Sequence, residues 1–160
     1  MTIFGKPFLQ YVSYVRWFSL LILAVGISRL VLSLIGMPNT TTRLFSMSVL
    51  MAGGTIYYGF RVHSSGFGSY LQLIPVIAIP NVIIHVVSIT GIVIGILTGE
   101  ANVFTAPEYA FGGDGRTWTH VGMHLVVGMI AGALVNWLIA CVFLFLSRTF
   151  LKRSNAPVRV

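Results

Sequence analysis

Four side chains in this 160-residue chain combine chemical capability with a place in, or at the mouth of, a long apolar run: Arg29, His85, His120 and His124. His120 and His124 are one helical turn apart, so a helix presents both imidazoles on one face, a spacing used by zinc and other metal sites. A closed site takes four ligands, and the carboxylates of Glu108 and Asp114 just upstream are the candidates to complete a metal set with His120 and His124, with Glu100 in reserve. The intervening glutamate of the metalloprotease motif is missing. Cys141, the one cysteine, lies deep in the last apolar run, where its thiol is read as inert packing.

His85 belongs to a different run. An unpaired imidazole in the middle of a membrane is costly, so it is expected to bond Asn81, Ser88, Tyr57 or a carbonyl, or to ligate a cofactor. A b-type haem needs two axial ligands at matching depth on facing helices. Counted from the outer ends at Thr98 and Thr117, His85 is about 13 residues deep and His124 about 7, a mismatch of about 9 Å. That count argues against a two-histidine haem within the chain and leaves a single haem or pigment on His85 open. Arg29 carries the largest insertion cost, about 2.5–3.5 kcal/mol at a helix centre. All three carboxylates (Glu100, Glu108 and Asp114) fall in the stretch Gly99 to Arg116. Arg29 is therefore expected either to tie that loop down through a carboxylate or to meet a bound anionic group: a lipid phosphate, a quinone oxygen or a haem propionate. His85, His120, His124 and Arg29 together form the candidate cofactor-binding set.

Apolar helices must position these residues. Apolar residues make up 56% of the chain and charged ones 8%, about a third of the usual charged share, so lipid is the expected solvent for much of the surface. The expected fold is an all-α integral membrane protein: one domain, residues 1–160, built as a four-transmembrane-helix bundle. The spans are read at about 17–36, 44–60, 71–98 and 117–147, with Pro75 and Pro80 kinking the third. A long outward loop, 99–116, joins spans three and four, and a short basic tail covers 148–160. Four spans put Lys6, Arg16, Arg61, Arg148, Lys152, Arg153 and Arg159 on one side and Arg43 and Arg116 on the other. Both termini are then cytoplasmic. The net charge of +7 flanks the apolar runs, which points to anionic lipid headgroups and away from nucleic acid. Short loops and the lack of a visible organelle-targeting segment make a bacterial inner membrane the expected location.

Helices in lipid pack through small and polar residues. On the third span Asn81, His85 and Ser88 share a face that Gly95 and Gly99 continue, with Gly91 at its flank. On the fourth, His120, His124, Val127 and Ala131 align beside Gly128 and Gly132. On the first, Gly26, Arg29, Ser33 and Gly36 do the same; on the second, Gly53, Gly54 and Tyr57. Asn136 and Tyr57 are expected to hydrogen-bond between helices. No Ser-His-Asp order, phosphate loop or nucleophile elbow is present. The leading expectation is a non-catalytic accessory or scaffold subunit of a larger membrane complex, packed against other subunits or another copy. The rival is a histidine-ligated redox or metal protein binding haem, pigment or quinone. A small transporter or channel component comes third, from carbonyls that Pro75 and Pro80 could expose.

Overall fold

The computed structural model describes residues 1–42, 44–110 and 112–150. These are mostly helical: α1 (Phe8–Leu34), α2 (Asn39–Thr42), α3 (Met47–Ser64), α4 (Tyr70–Thr98), α5 (Trp118–Met123) and α6 (Ala133–Phe150), the last two joined by a π-helical segment, His124–Gly132. The helices Phe8–Leu34, Tyr70–Thr98 and Trp118–Phe150 are long and apolar enough to cross a membrane. The second expected span, α3, is not among them. Its 18 residues include Gly53, Gly54, Tyr57, Tyr58, Arg61 and His63, which lower its mean hydropathy.

α4 forms the centre of the bundle, packing against α1, α3, α6 and the π-helical segment, while α3 packs along α6. Gly59 permits the close α3–α6 approach, because a Cβ there would lie 2.6 Å from Phe143 Cβ and 2.7 Å from the Ala140 carbonyl. α1 begins at Phe8, about two and a half turns before the expected start of the first span at Trp17. Tyr11, Tyr14, Arg16 and Trp17 lie within this helix, held there because Tyr11 and Val15 bury in the same stripe as Ile22, Gly26 and Arg29. Before it, Thr2–Ile3 pairs with Lys6–Pro7 in a hairpin that the sequence reading missed. Its turn takes positive φ at Phe4 and Gly5, the geometry of a tight two-residue hairpin loop.

Contacts at one end bring both described chain ends together. The Gln72 amide donates to the Phe4 carbonyl at 2.8 Å, Lys6 lies over the Phe67 ring and Arg148 over Tyr70. This is termed the terminal end, and the opposite one the loop end. Arg43 and residues 151–160, which carry part of the expected charge asymmetry, lie outside the described residues.

The inward faces agree in part with the expected stripes. Gly26, Arg29, Asn81, Ser88, Gly91 and Gly95 are buried. Gly36 and Gly99 are exposed and adopt positive φ beyond the ends of α1 and α4. On α3 Gly54 is buried as expected, but with Thr55 and Tyr58 beside it, while Gly53 and Tyr57 are exposed. The Asn136 carbonyl oxygen accordingly accepts from Thr55 at 3.1 Å, not from Tyr57. Val127 and Ala131 are exposed as well. They fall in the π-helical segment, where i→i+5 bonding puts more residues into each turn and carries the expected stripe out of register. α4 runs through Pro75 and Pro80 as one helix.

Candidate functional site

At the loop end, residues 102–106 descend into the bundle, while 107–109 and 112–114 are exposed. Asn102 organises the descent. Its side-chain amide donates to the Gly91 carbonyl at 2.7 Å, its side-chain oxygen accepts from the Phe104 N–H at 2.9 Å, and its own N–H donates to Thr105 Oγ1 at 2.8 Å. Val103 N–H donates to Ser33 Oγ on α1 at 2.8 Å. The glycines at 91 and 95 leave room for this descent: a Cβ at Gly91 would overlap the Phe104 ring, and one at Gly95 would press on Thr105, the Glu100 carbonyl and Arg116. Asn102, Val103, Phe104, Thr105 and Ala106 are all buried.

This descent corrects the depth estimate. The Arg116 side chain returns beside Gly95, roughly a turn below Thr98, so the two helix ends are not level. The 9 Å mismatch assumed both ends at one level. His85 and His124 in fact meet, Nδ1 to Nδ1 at 2.9 Å, with ring centroids 5.1 Å apart. The expected partners Asn81, Ser88 and Tyr57 do not take that nitrogen. Gly128 makes the meeting possible, since a Cβ there would overlap the His85 imidazole.

His120 is buried, and its ring centroid lies 5.0 Å from that of His124. Its Nδ1 is 2.9 Å from the Gly115 carbonyl oxygen. A carbonyl can only accept, so His120 carries its proton on Nδ1, and in the neutral ring Nε2 is the acceptor. In the His85–His124 contact one Nδ1 donates and the other accepts. The π-helical segment supplies further polar groups: Asn81 donates to the Gly128 and Met129 carbonyls at 3.3 and 3.2 Å, and Asn136 to the Gly132 carbonyl at 2.9 Å. Irregular backbone at this depth needs such partners.

Arg29 reaches the loop, but through an aromatic residue. Its Nη2 donates to the Tyr109 hydroxyl at 2.7 Å, and the guanidinium lies 5.4 Å from the Phe104 centroid and 5.2 Å from that of Tyr109. Its Nε is buried without a hydrogen-bond partner among the described residues. The expected carboxylate is therefore replaced by a phenol and two ring faces, which attract a desolvated cation. Tyr109 in turn lines a cavity of about 190 Å³ with His85, His120, Met123, His124, Val127 and Gly128.

The carboxylates do not join the histidines in a metal set. Asp114 pairs with Arg116 at 3.0 Å, and hydrogen bonds from the Arg116 side chain and backbone hold its carboxyl below the usual range. Arg116 also donates to the Gly99 carbonyl. Glu108 is engaged in an interaction of its own. Among the described residues, no group of three or more His, Cys, Asp or Glu is arranged to hold a metal ion. A haem between His85 and His124 does not fit either: iron and its macrocycle must stand between two axial imidazoles, and these rings touch.

Sequence reading missed Tyr109, Asn102, Thr55 and the Gly115 carbonyl. Asn102 followed by Thr105 is the kind of polar pair that bonds its own backbone. Nothing in the spacing marks Tyr109. No protein-family description, curated protein or solved structure matches this chain. What fold and site define is therefore a class: a helical protein with three helices long and apolar enough to cross a membrane, and a histidine cluster under a tucked loop.

Proposed function

We propose that this chain is a multi-pass protein of a bacterial inner membrane, with α3 as a short fourth span, both termini in the cytoplasm and the 99–116 loop outside. Its histidine site binds a small molecule from the membrane phase. The topology is supported by Lys6, Arg16, Arg61 and Arg148 lying toward the terminal end, against Arg116 at the loop end. In a Cys141→Ser background, an impermeant maleimide applied to intact spheroplasts is expected to label Gly113→Cys and spare Ser64→Cys. Labelling of both, or of Ser64→Cys alone, would sink this topology.

The His85–His124 contact carries the ligand reading. Asparagine or serine would bridge two helices as well, whereas two imidazoles pressed together leave each ring a second nitrogen for another partner. Intramembrane ionisable groups in such a setting mark ligand or proton pathways. Native mass spectrometry of the protein released directly from its membrane is expected to show a small-molecule adduct, absent from His85→Gln and His124→Gln. A wild-type chain at its bare polypeptide mass would count against the reading.

The accessory-subunit reading keeps one specific support. In the most apolar window of Trp118–Phe150, only 11% of residues are buried within the chain. That surface is free for lipid or for a neighbouring subunit, and the same spectra report partner masses. The two readings are compatible, a ligand-binding subunit of a larger assembly satisfying both.

A further inference from the structure

A second, larger cavity adjoins the histidine cluster. It is a groove of about 530 Å³ between α3, α4 and the helical run beyond His124, lined by Met51, Ala52, Ile84, Ala131, Val135 and the residues below. Ala52, Ala131 and Val135 are exposed, so the groove opens sideways between helices. No charged side chain lines it, which makes it a poor seat for a phosphate headgroup. Its polar lining residues are Ser48, Asn81, His85 and Asn136, and two of them converge. Asn81 Oδ1 and His85 Nε2 lie 3.4 and 3.6 Å from where a Cβ on Gly132 would be. The Asn81 amide nitrogen is committed to backbone carbonyls, which leaves its oxygen as an acceptor facing the groove.

The His85–His124 pair gives this point an unusual property. When His124 donates through Nδ1, neutral His85 carries its proton on Nε2 and offers a donor to the groove. When His85 donates instead, its Nε2 becomes an acceptor. The two neutral arrangements of the pair thus present opposite hydrogen-bonding polarity to the groove at the same net charge; in passing from the first to the second, the shared proton moves from His124 Nδ1 to His85 Nδ1, His85 Nε2 gives up its proton and His124 Nε2 takes one up.

We infer that the groove binds a neutral lipid-phase molecule of the quinone–quinol class, the tautomer of the histidine pair matching the carbonyl of one form and the hydroxyl of the other. This rests on the proposed histidine site and adds its ligand and position. The groove volume falls within the ~300–1,000 Å³ range of small-molecule sites, and its apolar walls with few convergent polar groups are typical of them. Met51, buried on its wall, is a favourable neighbour for a flat ring. No oxidation or reduction is implied, only binding of both forms.

The test uses the full chain in lipid nanodiscs and, as probe, a benzoquinone with a short isoprenoid tail, together with its quinol kept under anaerobic conditions. Binding above that of empty discs is expected for both forms, with affinities within a few-fold of each other. Ala131→Leu and Ala52→Leu fill the groove from exposed positions without touching the imidazoles and are expected to weaken both forms at least tenfold; His85→Gln should weaken both as well. Equal uptake by empty and protein-bearing discs overturns the inference, as does unchanged binding in the two leucine variants. If binding survives Ala131→Leu and is lost in His124→Gln, the ligand sits in the smaller cavity beside Tyr109; the groove is then wrong and the histidine site stands. If neither set of variants matters, both fall.

Discussion

Gly128→Val is expected to separate His85 from His124 and abolish ligand retention while leaving the helices in the membrane. A Cβ at this position overlaps the His85 ring, and valine adds two methyls in a helix where its χ1 is restricted, so the ring has to leave. Overpacking costs about 1–3 kcal/mol, and a buried imidazole nitrogen deprived of its partner costs about 1–3 kcal/mol more. Thermal unfolding in detergent should drop accordingly, and the 15N signals of the two Nδ1 atoms should lose their shared hydrogen bond. Gly122→Ala is the control. Nothing lies within 4 Å of its added Cβ, and alanine is the better helix former by about 1 kcal/mol. A Gly128→Val protein that kept the paired histidine signals and its small-molecule adduct would show that the close packing is not what joins the rings.

Arg29→Ala is expected to free the part of the loop around Tyr109 and leave the rest in place. It removes a charged hydrogen bond of about 1.5–3 kcal/mol and two ring contacts of about 0.5–2 kcal/mol each. Against that stands relief from burying a guanidinium whose Nε has no partner. Global stability is therefore expected to change little, whereas local opening should rise by tenfold or more. The signature is spatial. Proteolysis at Gly112–Gly115 and amide exchange near Tyr109 should accelerate, while Asn102 to Thr105 stay protected by their bonds to Gly91 and within the loop. Arg29→Lys, which keeps the charge and loses the planar fork, should fall between. Unchanged protease access in Arg29→Ala would mean that Arg29 does not hold the loop.

The two variants differ in what could have been foreseen. Arg29 was conspicuous in the sequence because a guanidinium in an apolar run demands a partner, and the loop was correctly named as the place to look. The partner was misjudged because charge suggested a carboxylate, whereas burial favoured a phenol and two aromatic faces. Gly128 read as a packing residue. Its neighbour across the interface, His85, is 43 positions away, and no spacing rule connects the two.

Helices and faces divide along the same line. Length and unbroken hydropathy were enough to locate Tyr70–Thr98 and Trp118–Phe150 to within a few residues, because a helix in an apolar setting needs only its own backbone bonds. Facing directions were legible where the α-helical period holds, as at Gly26, Arg29, Asn81 and Ser88. They failed where the backbone departs from it, as at Val127 and Ala131, and also on the regular helix α3, where Gly53 and Tyr57 are exposed. Tertiary structure alone decided the site. The relative depth of two helices depends on how far the loop between them tucks in, and Asn102 and the glycines at 91 and 95 set that. Local sequence governs the direction in which each imidazole leaves its helix; whether two of them share a proton depends on distances between segments that are far apart along the chain.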